Sequence, residues 1–299
     1  MRIAAIDLGT NTFRILIGEY QNGNFEKIYR ETNITRLGEG LFKSDLINEE
    51  AISRSISTLK KYRLITEKYN VNKTIAAGTS AFRNALNAEV LIKYFKNETG
   101  IEIDIISGKK EAELTVKGVL NSLQTSLNQF FHLDIGGGST EISYISNGKI
   151  EFSHSFELGV VSLAENTGMN YNNYITIVEY IRTTILENMN IDVENYKNIP
   201  LVATSGTPIV VACILSSLKK YEASKVNEMI ISIKQVEKIK EMLIKDSNSN
   251  KLEKYGPLLY GREDLIVPGV LILSETMKFL ENDCMIISEC GLLEGLLYP

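Results

Sequence analysis

Two rhythms alternate along this chain. Short apolar runs close on an acid and a glycine turn, and longer stretches carry apolar residues at steps of three or four. Residues 2–7 form a short apolar run ending in Asp7. Leu8-Gly9-Thr10-Asn11-Thr12 follows, then a second run, Phe13-Arg14-Ile15-Leu16-Ile17. Asn22-Gly23 is the dipeptide of a two-residue hairpin, and residues 25–29 read as the next strand. Asn48 then precedes Ile52, Ile56, Leu59, Tyr62, Ile65 and Tyr69, the spacing of a capped helix with one apolar face. A strand at 74–77, a helix over 88–97, a strand at 101–106 and a helix over 110–120 complete this half.

The second half opens the same way. Residues 130–134 form an apolar run ending in Asp134, followed by Ile135-Gly136-Gly137-Gly138-Ser139-Thr140 and then Glu141-Ile142-Ser143-Tyr144-Ile145. Asn147-Gly148 supplies another hairpin signal and residues 150–154 another strand. Acid, apolar residue, glycine, two residues, hydroxyl: the order is identical in the two halves, as expected of an internal duplication. Helices over 174–188, 208–218, 233–246 and 263–279 follow, with strands at 201–204 and 285–288 and a last helix after Gly291. Residues 267–273 hold Pro268 and Gly269 and read as a buried helix. Strands alternating with helices predict α/β layers with a largely parallel sheet. The polar stretch 121–128 suggests a boundary.

Such turns suit phosphate. Glycine lets the backbone approach a ligand, and successive N–H groups form a concavity that attracts anions. Gly9, Thr10, Asn11 and Thr12 in the first turn, and Gly136, Gly137, Gly138, Ser139 and Thr140 in the second, are therefore candidate phosphate binders. The acids heading the turns cannot bind phosphate directly. Asp7, Asp134 and the nearby Glu141 become useful as ligands of a divalent ion placed against the phosphate oxygens.

Composition narrows the choice. The 299 residues suit two domains, and 44% hydrophobic with 23% charged residues is the balance of a folded globular chain. A net charge of −5 argues against a broad nucleic-acid-binding face, so an anionic ligand needs a local site. Two histidines argue against a zinc centre or a Ser-His-Asp triad, and three sparse cysteines against a disulfide frame. No stretch approaches the ~20 apolar residues of a membrane helix, and the first apolar run is too short for a signal peptide. The expectation is a cytoplasmic protein with no membrane or nucleic-acid partner.

The duplicated turns resemble those of the sugar kinase, heat-shock protein and actin superfamily. More narrowly, the chain resembles the exopolyphosphatase and guanosine pentaphosphate phosphatase family. The matching pieces are Asp7–Arg14, Gly78–Asn87, Ser107-Gly108-Lys109-Lys110-Glu111-Ala112, Asp134–Glu141, Ser205-Gly206-Thr207, Val267-Pro268-Gly269 and Gly291–Gly295. Each is weak, but their joint order is specific. The resemblance implies an α/β fold of two actin-like (ribonuclease H-like) domains with the active site in an interdomain cleft. Residues 1–122, completed by a C-terminal helix at about 291–299, would form the first domain and 123–290 the second. It implies hydrolysis of a terminal phosphoanhydride with Mg2+ or another divalent cation, on inorganic polyphosphate or guanosine pentaphosphate. Homodimers are common in the family.

By the same resemblance Glu111 is the general base, and Ser205, Gly206 and Thr207 form a turn that meets the ligand and are candidate phosphate binders; Arg83, whose planar, permanently charged fork suits phosphate, is the second catalytic candidate. By position alone, Glu111 is an acid favoured in a helix's first turn, and Arg83 a salt-bridge residue. Ser205–Thr207 by the same token is a helix start, with Thr207 as cap and Pro208 first in the helix. Lys110 stands where relatives often carry an acid, and a cation there favours the Glu111 carboxylate. His132 and Glu294 read as structural and solvent-facing respectively, Cys290 as an unactivated thiol, and Lys60-Lys61 and Lys219-Lys220 as solvated faces. The chain resembles the short, two-domain members. The rivals are a guanosine pentaphosphate 5'-phosphohydrolase, a small-molecule kinase, and a sensor that binds polyphosphate or the alarmone without turnover.

Overall fold

The computed structural model describes residues 1–21, 24–168, 174–189 and 191–298. The chain divides into two compact units, Met1–Asn121 with Cys290–Pro299, and Ser122–Glu289. The hairpin signal Asn22-Gly23 and residue Pro299 lie outside the described residues.

In the first unit a five-stranded sheet runs β3-β2-β1-β4-β5, with β1 Arg2–Leu8, β2 Thr12–Gln21, β3 Asn24–Ile34, β4 Lys73–Gly78 and β5 Ile103–Ile105. In the second, β6 is Gln129–Ile135, β7 Thr140–Ser146, β8 Lys149–Phe156, β9 Leu201–Thr204, β10 Ile230–Ser232 and β11 Cys284–Ile287, in the order β10-β11-β9-β6-β7-β8. Apart from the edge strand β10, the second sheet repeats the first position for position. Three antiparallel strands lead, and two more follow in parallel, β1–β4–β5 matching β6–β9–β11. Even the register shift recurs, at Ile17/Gly18 and at Tyr144/Ile145. The sheets are thus mixed rather than largely parallel. Each half opens with two tight turns, and a tight turn can join only antiparallel strands.

The Asn147-Gly148 hairpin takes positive φ at both residues, 50° and 75°, the requirement of a type I′ turn. Helix Glu49–Lys68 begins at Asn48, whose side chain accepts from Ala51 N at 2.8 Å. It lays Ala51, Leu59 and Tyr62 on the first sheet, in a core with Ile6, Leu8, Phe13 and Phe82. The second core gathers Phe131, Leu133, Ile142, Leu201 and Ala203 around helix Ile266–Phe279. Pro268 sits in that helix's first turn, where no backbone hydrogen bond is lost.

A third, smaller core belongs to the first unit. Helix Leu292–Leu297 puts Leu293 and Leu297 against Ile3, Ala5 and Leu16. It also meets helix Gly108–Leu120 almost backbone to backbone. A Cβ on Gly295 would lie 1.8 Å from the Leu114 carbonyl oxygen, and one on Gly118 2.1 Å from that of Gly291. Glu294, expected on a solvated face, is 1% exposed. It accepts from Arg30 Nη1 at 2.9 Å and Gly291 N at 3.0 Å, and pairs with Lys27 at 3.1 Å. The C-terminal helix is buried, so an acid on it has to be paired.

Candidate active site

The two glycine turns share one geometry. Gly9 N donates to Thr12 O at 3.0 Å, and Gly136 N to Ser139 O at 2.8 Å. At both glycines a Cβ would fall 2.9 Å from that same carbonyl, so the tight closure needs glycine. The remaining carbonyls are tied back to the segment after the third strand. Asn11 O accepts from Thr35 N and Arg36 N, and Thr10 O from Gly38 N. Gly136 O accepts from Val160 N, and Gly137 O from Val161 N and Ser162 N. With the carbonyls spent, the N–H groups of Thr10, Asn11, Gly137 and Gly138 donate to nothing within the protein among the described residues. The Thr10 hydroxyl and the Asn11 side-chain oxygen are likewise buried without a partner. Buried polar groups in folded proteins are normally paired, so each turn taken by itself has the free backbone donors that an anion-binding turn needs.

The acids heading the turns differ in their partners. Asp7 lies opposite Arg14 across β1 and β2, and Arg14 Nε donates to Asp7 Oδ2 at 2.7 Å. Asp134 occupies the equivalent position and lies opposite Glu141 across β6 and β7. Residues directly opposite in a ladder present side chains to one face. The first unit therefore has a neutralised pair, and the second two carboxylates side by side, 8% and 1% exposed. The Ser155 hydroxyl donates to Glu141 Oε1 at 2.7 Å, and the Ser205 hydroxyl donates to Asp134 Oδ1. Two adjacent buried carboxylates repel one another, and a divalent cation relieves that repulsion. Among the described residues no group of three acid, histidine or cysteine side chains comes together. Asp134 and Glu141 could together supply the one or two carboxylates that Mg2+ commonly takes, with water and phosphate oxygens in its other positions.

Glu111 sits in the first turn of helix Gly108–Leu120, whose cap Ser107 accepts from Lys110 N. Arg83, in the short helix Ser80–Asn84, sends Nη1 to Glu111 Oε2 at 2.8 Å and to Ile106 O at 3.0 Å. Both side chains are partly accessible, 14% for Glu111 and 21% for Arg83. Lys110 turns to Glu113 at 3.4 Å, so its cation is directed away from Glu111.

Other expected donors serve the protein itself. The buried Thr140 hydroxyl donates to Leu158 O. Thr207 packs under helix Ile266–Phe279, where a Cβ on Gly269 would lie 2.1 Å from its Oγ1. The helix start also differs from the expectation. Helix Gly206–Leu215 has Ser205, not Thr207, at its N-cap position, and Pro208 is its third residue. His132 is fully buried, with Nε2 3.0 Å from Thr204 Oγ1, and burial pushes its pKa down to about 4. Sequence reading passed over two features. The segment 35–38 clamps the first turn, with Arg36 in the left-handed region at φ 48°. Arg262 brings Nη1 within 3.0 Å of where a Cβ on Gly206 would stand. The left-handed φ of Arg36 was the signal least available, because nothing in the residue type announces it.

A model of the Ppx/GppA phosphatase family matches residues 16–299. The chain belongs to the Ppx/GppA phosphatase family. A bifunctional 3-dehydroquinate synthase/phosphatase of Fusobacterium nucleatum is 33% identical over 98% of this chain, which spans 45% of that protein's length. Exopolyphosphatase 2 of Mycobacterium tuberculosis is 26% identical, over 99% of this chain and 97% of its own. The crystal structure of an exopolyphosphatase from Cytophaga hutchinsonii superposes with a TM-score of 0.91 at 29% identity, covering 100% of this chain and 97% of that one. The Ppx/GppA membership and the actin-like α/β domains expected from the motifs are both borne out. No helix among the described residues is long and apolar enough to cross a membrane.

Proposed function

We propose that this Ppx/GppA member is an exopolyphosphatase that releases orthophosphate from the end of inorganic polyphosphate by metal-assisted attack of water. The observation that carries the reading is the pair of equivalent glycine turns in which the amides of Thr10 and Asn11, and of Gly137 and Gly138, donate to nothing among the described residues. They suit a ligand made of phosphate alone, because they recognise oxygens and need no base or sugar. The full-length match to an exopolyphosphatase supports the same choice.

In the first unit the amides of Thr10 and Asn11, with the Thr10 hydroxyl, are the donors for phosphate oxygens, and in the second unit the amides of Gly137 and Gly138 are. Arg83 adds a planar, permanently charged donor suited to phosphate. Glu111 accepts the proton of the attacking water. Its contact with Arg83 Nη1 keeps the carboxylate oriented, and the same nitrogen also donates to the Ile106 carbonyl. Asp134 and Glu141 hold the divalent cation. Asp7, committed through Oδ2 to Arg14, contributes chiefly to the framework of the first turn. When bound, the cation supplies charge that neutralises the phosphate oxygens. Transfer of a phosphoryl group through a loose transition state depends mainly on such positioning and charge, with a general base adding roughly 10²–10⁴-fold.

The test is phosphate release from short and long polyphosphate, guanosine pentaphosphate and ATP in parallel, each with Mg2+. Preference for polyphosphate supports the proposal. Preference for guanosine pentaphosphate moves the protein to the alarmone phosphohydrolases. Binding without release from any substrate makes it a sensor. Purified protein run on a sizing column, with and without polyphosphate, decides whether it acts as a homodimer.

A further inference from the structure

Ser205 follows the last residue of β9, and β9 pairs in parallel with β6 so that Thr204 stands beside Asp134. The backbone of Ser205 has φ 77° and ψ −174°. That combination belongs to a region populated almost solely by glycine, and a side chain held there is strained. A serine at a helix N-cap ordinarily turns its oxygen to the N–H groups of the first turn. At helix Gly206–Leu215 no such side-chain cap bond forms. The hydroxyl donates instead to Oδ1 of the buried Asp134. Serine here gives up both an unstrained backbone and a helix cap for one contact with one carboxylate.

The surroundings keep the arrangement in place. Thr207, two residues on, is wedged under Gly269, where there is no room for even a methyl group. On the other side, Asp134 is fixed by its place in β6. Glu141, the neighbouring carboxylate, is held in the same manner by the hydroxyl of Ser155. Each acid therefore has one oxygen held by a serine hydroxyl. Strain retained at such a position, with a local alternative available, marks a functional constraint.

We infer that Ser205 is a positioning residue for the divalent cation: its strained backbone aims a hydroxyl at Asp134 and holds that carboxylate in the orientation that receives the metal. The inference rests on the proposed metal role of Asp134 and Glu141. Outer partners of this kind typically change metal affinity or activity by 10–100-fold.

Mn2+ is the probe, since it takes the same oxygen ligands as Mg2+. Its binding to the protein without substrate is followed by electron paramagnetic resonance, for the wild type, Asp134→Asn, Ser205→Ala and Ser205→Gly. Ser205→Ala removes the hydroxyl and keeps the strain, whereas Ser205→Gly removes both. Both Ser205 variants are expected to bind Mn2+ about 10–100-fold more weakly. Ser205→Gly is expected to melt above Ser205→Ala by roughly 2–4 °C or more, because glycine accepts this φ and ψ. Asp134→Asn is expected to lose Mn2+ binding. Loss in Asp134→Asn with wild-type affinity in Ser205→Ala overturns the positioning role alone. Unchanged binding in both overturns the metal reading and this inference together. Equal melting of the two Ser205 variants overturns the claim that the backbone is strained to aim the hydroxyl.

Discussion

At the scale of single residues, the proposed function puts the first unit's chemistry on Glu111 and Arg83, which are joined at 2.8 Å. Replacing Glu111 by glutamine keeps the shape and the contact but removes the proton acceptor, so kcat should fall roughly 10²–10⁴-fold with a near-normal melting temperature. Steady-state phosphate release beside a thermal melt checks both halves of that expectation. Arg83→Lys is not conservative, because an ammonium lacks the planar fork that suits phosphate. It should raise KM for polyphosphate and lower kcat. His132 gives a separate, stability-based prediction. Its pKa is depressed to about 4 by burial, against 6.5 in the unfolded chain. Between those values the unfolded chain binds the extra proton, so stability falls as pH drops through this window and levels off below it. About 2 kcal/mol should be lost between pH 7 and pH 5. Urea unfolding of the wild type against His132→Asn isolates that slope. A wild-type slope no steeper than the variant's would mean that His132 is accessible to solvent. The sequence disclosed the candidate residues at this scale but not their partners. Asp7 and Asp134 have the same local pattern, yet one meets arginine and the other glutamate, because the residue seven positions on is Arg14 in one half and Glu141 in the other.

At the scale of elements, the helix that carries Glu111 is held from behind by helix Leu292–Leu297. The contact depends on Gly118 and Gly295, where the backbones leave no room for a side chain. Gly295→Ala should force the two helices apart and cost about 1–3 kcal/mol, the usual range for overpacking. It should also lower turnover by shifting Glu111. Chemical denaturation and phosphate release on the same sample test this, and an unaltered unfolding midpoint would contradict the packing. Much at this scale was legible from sequence. Glycine turns and the Asn147-Gly148 hairpin declare themselves locally, through backbone conformations that few residues accept. Helix Glu49–Lys68 announced itself by cap and period. The short helices Leu41–Ser44 and Ala223–Val226 did not, since four residues are too few to display a period. Glu294 was misread for a related reason. One turn of helix gives no apolar stripe wide enough to separate a buried face from a solvated one.

At the scale of the molecule, one structural plan is used twice and then specialised. The two sheets share strand order, direction and the position of a register shift, and both place a glycine turn after an acid-terminated strand. The divergence lies in charge. The first unit carries the Arg83–Glu111 pair and neutralises Asp7, while the second concentrates two buried carboxylates. The chain is acidic, at −5, so on the proposed function attraction of a polyanion would come from these local sites and from a bound cation. Removing the cation with a chelator should therefore abolish turnover rather than merely slow it, and restoring Mg2+ should recover it. The duplication itself was visible in the sequence, because it is written in contiguous residues. The mixed character of the sheets is implied by the same residues, since two tight turns at the head of each half require antiparallel neighbours.

The measurement that tests the central claim most directly is orthophosphate release from inorganic polyphosphate by the purified protein with Mg2+. The account predicts steady release that is lost on chelation and in Glu111→Gln, while both samples stay folded. Unchanged release from the Glu111→Gln protein, or no release from the folded wild type with Mg2+ present, would contradict it.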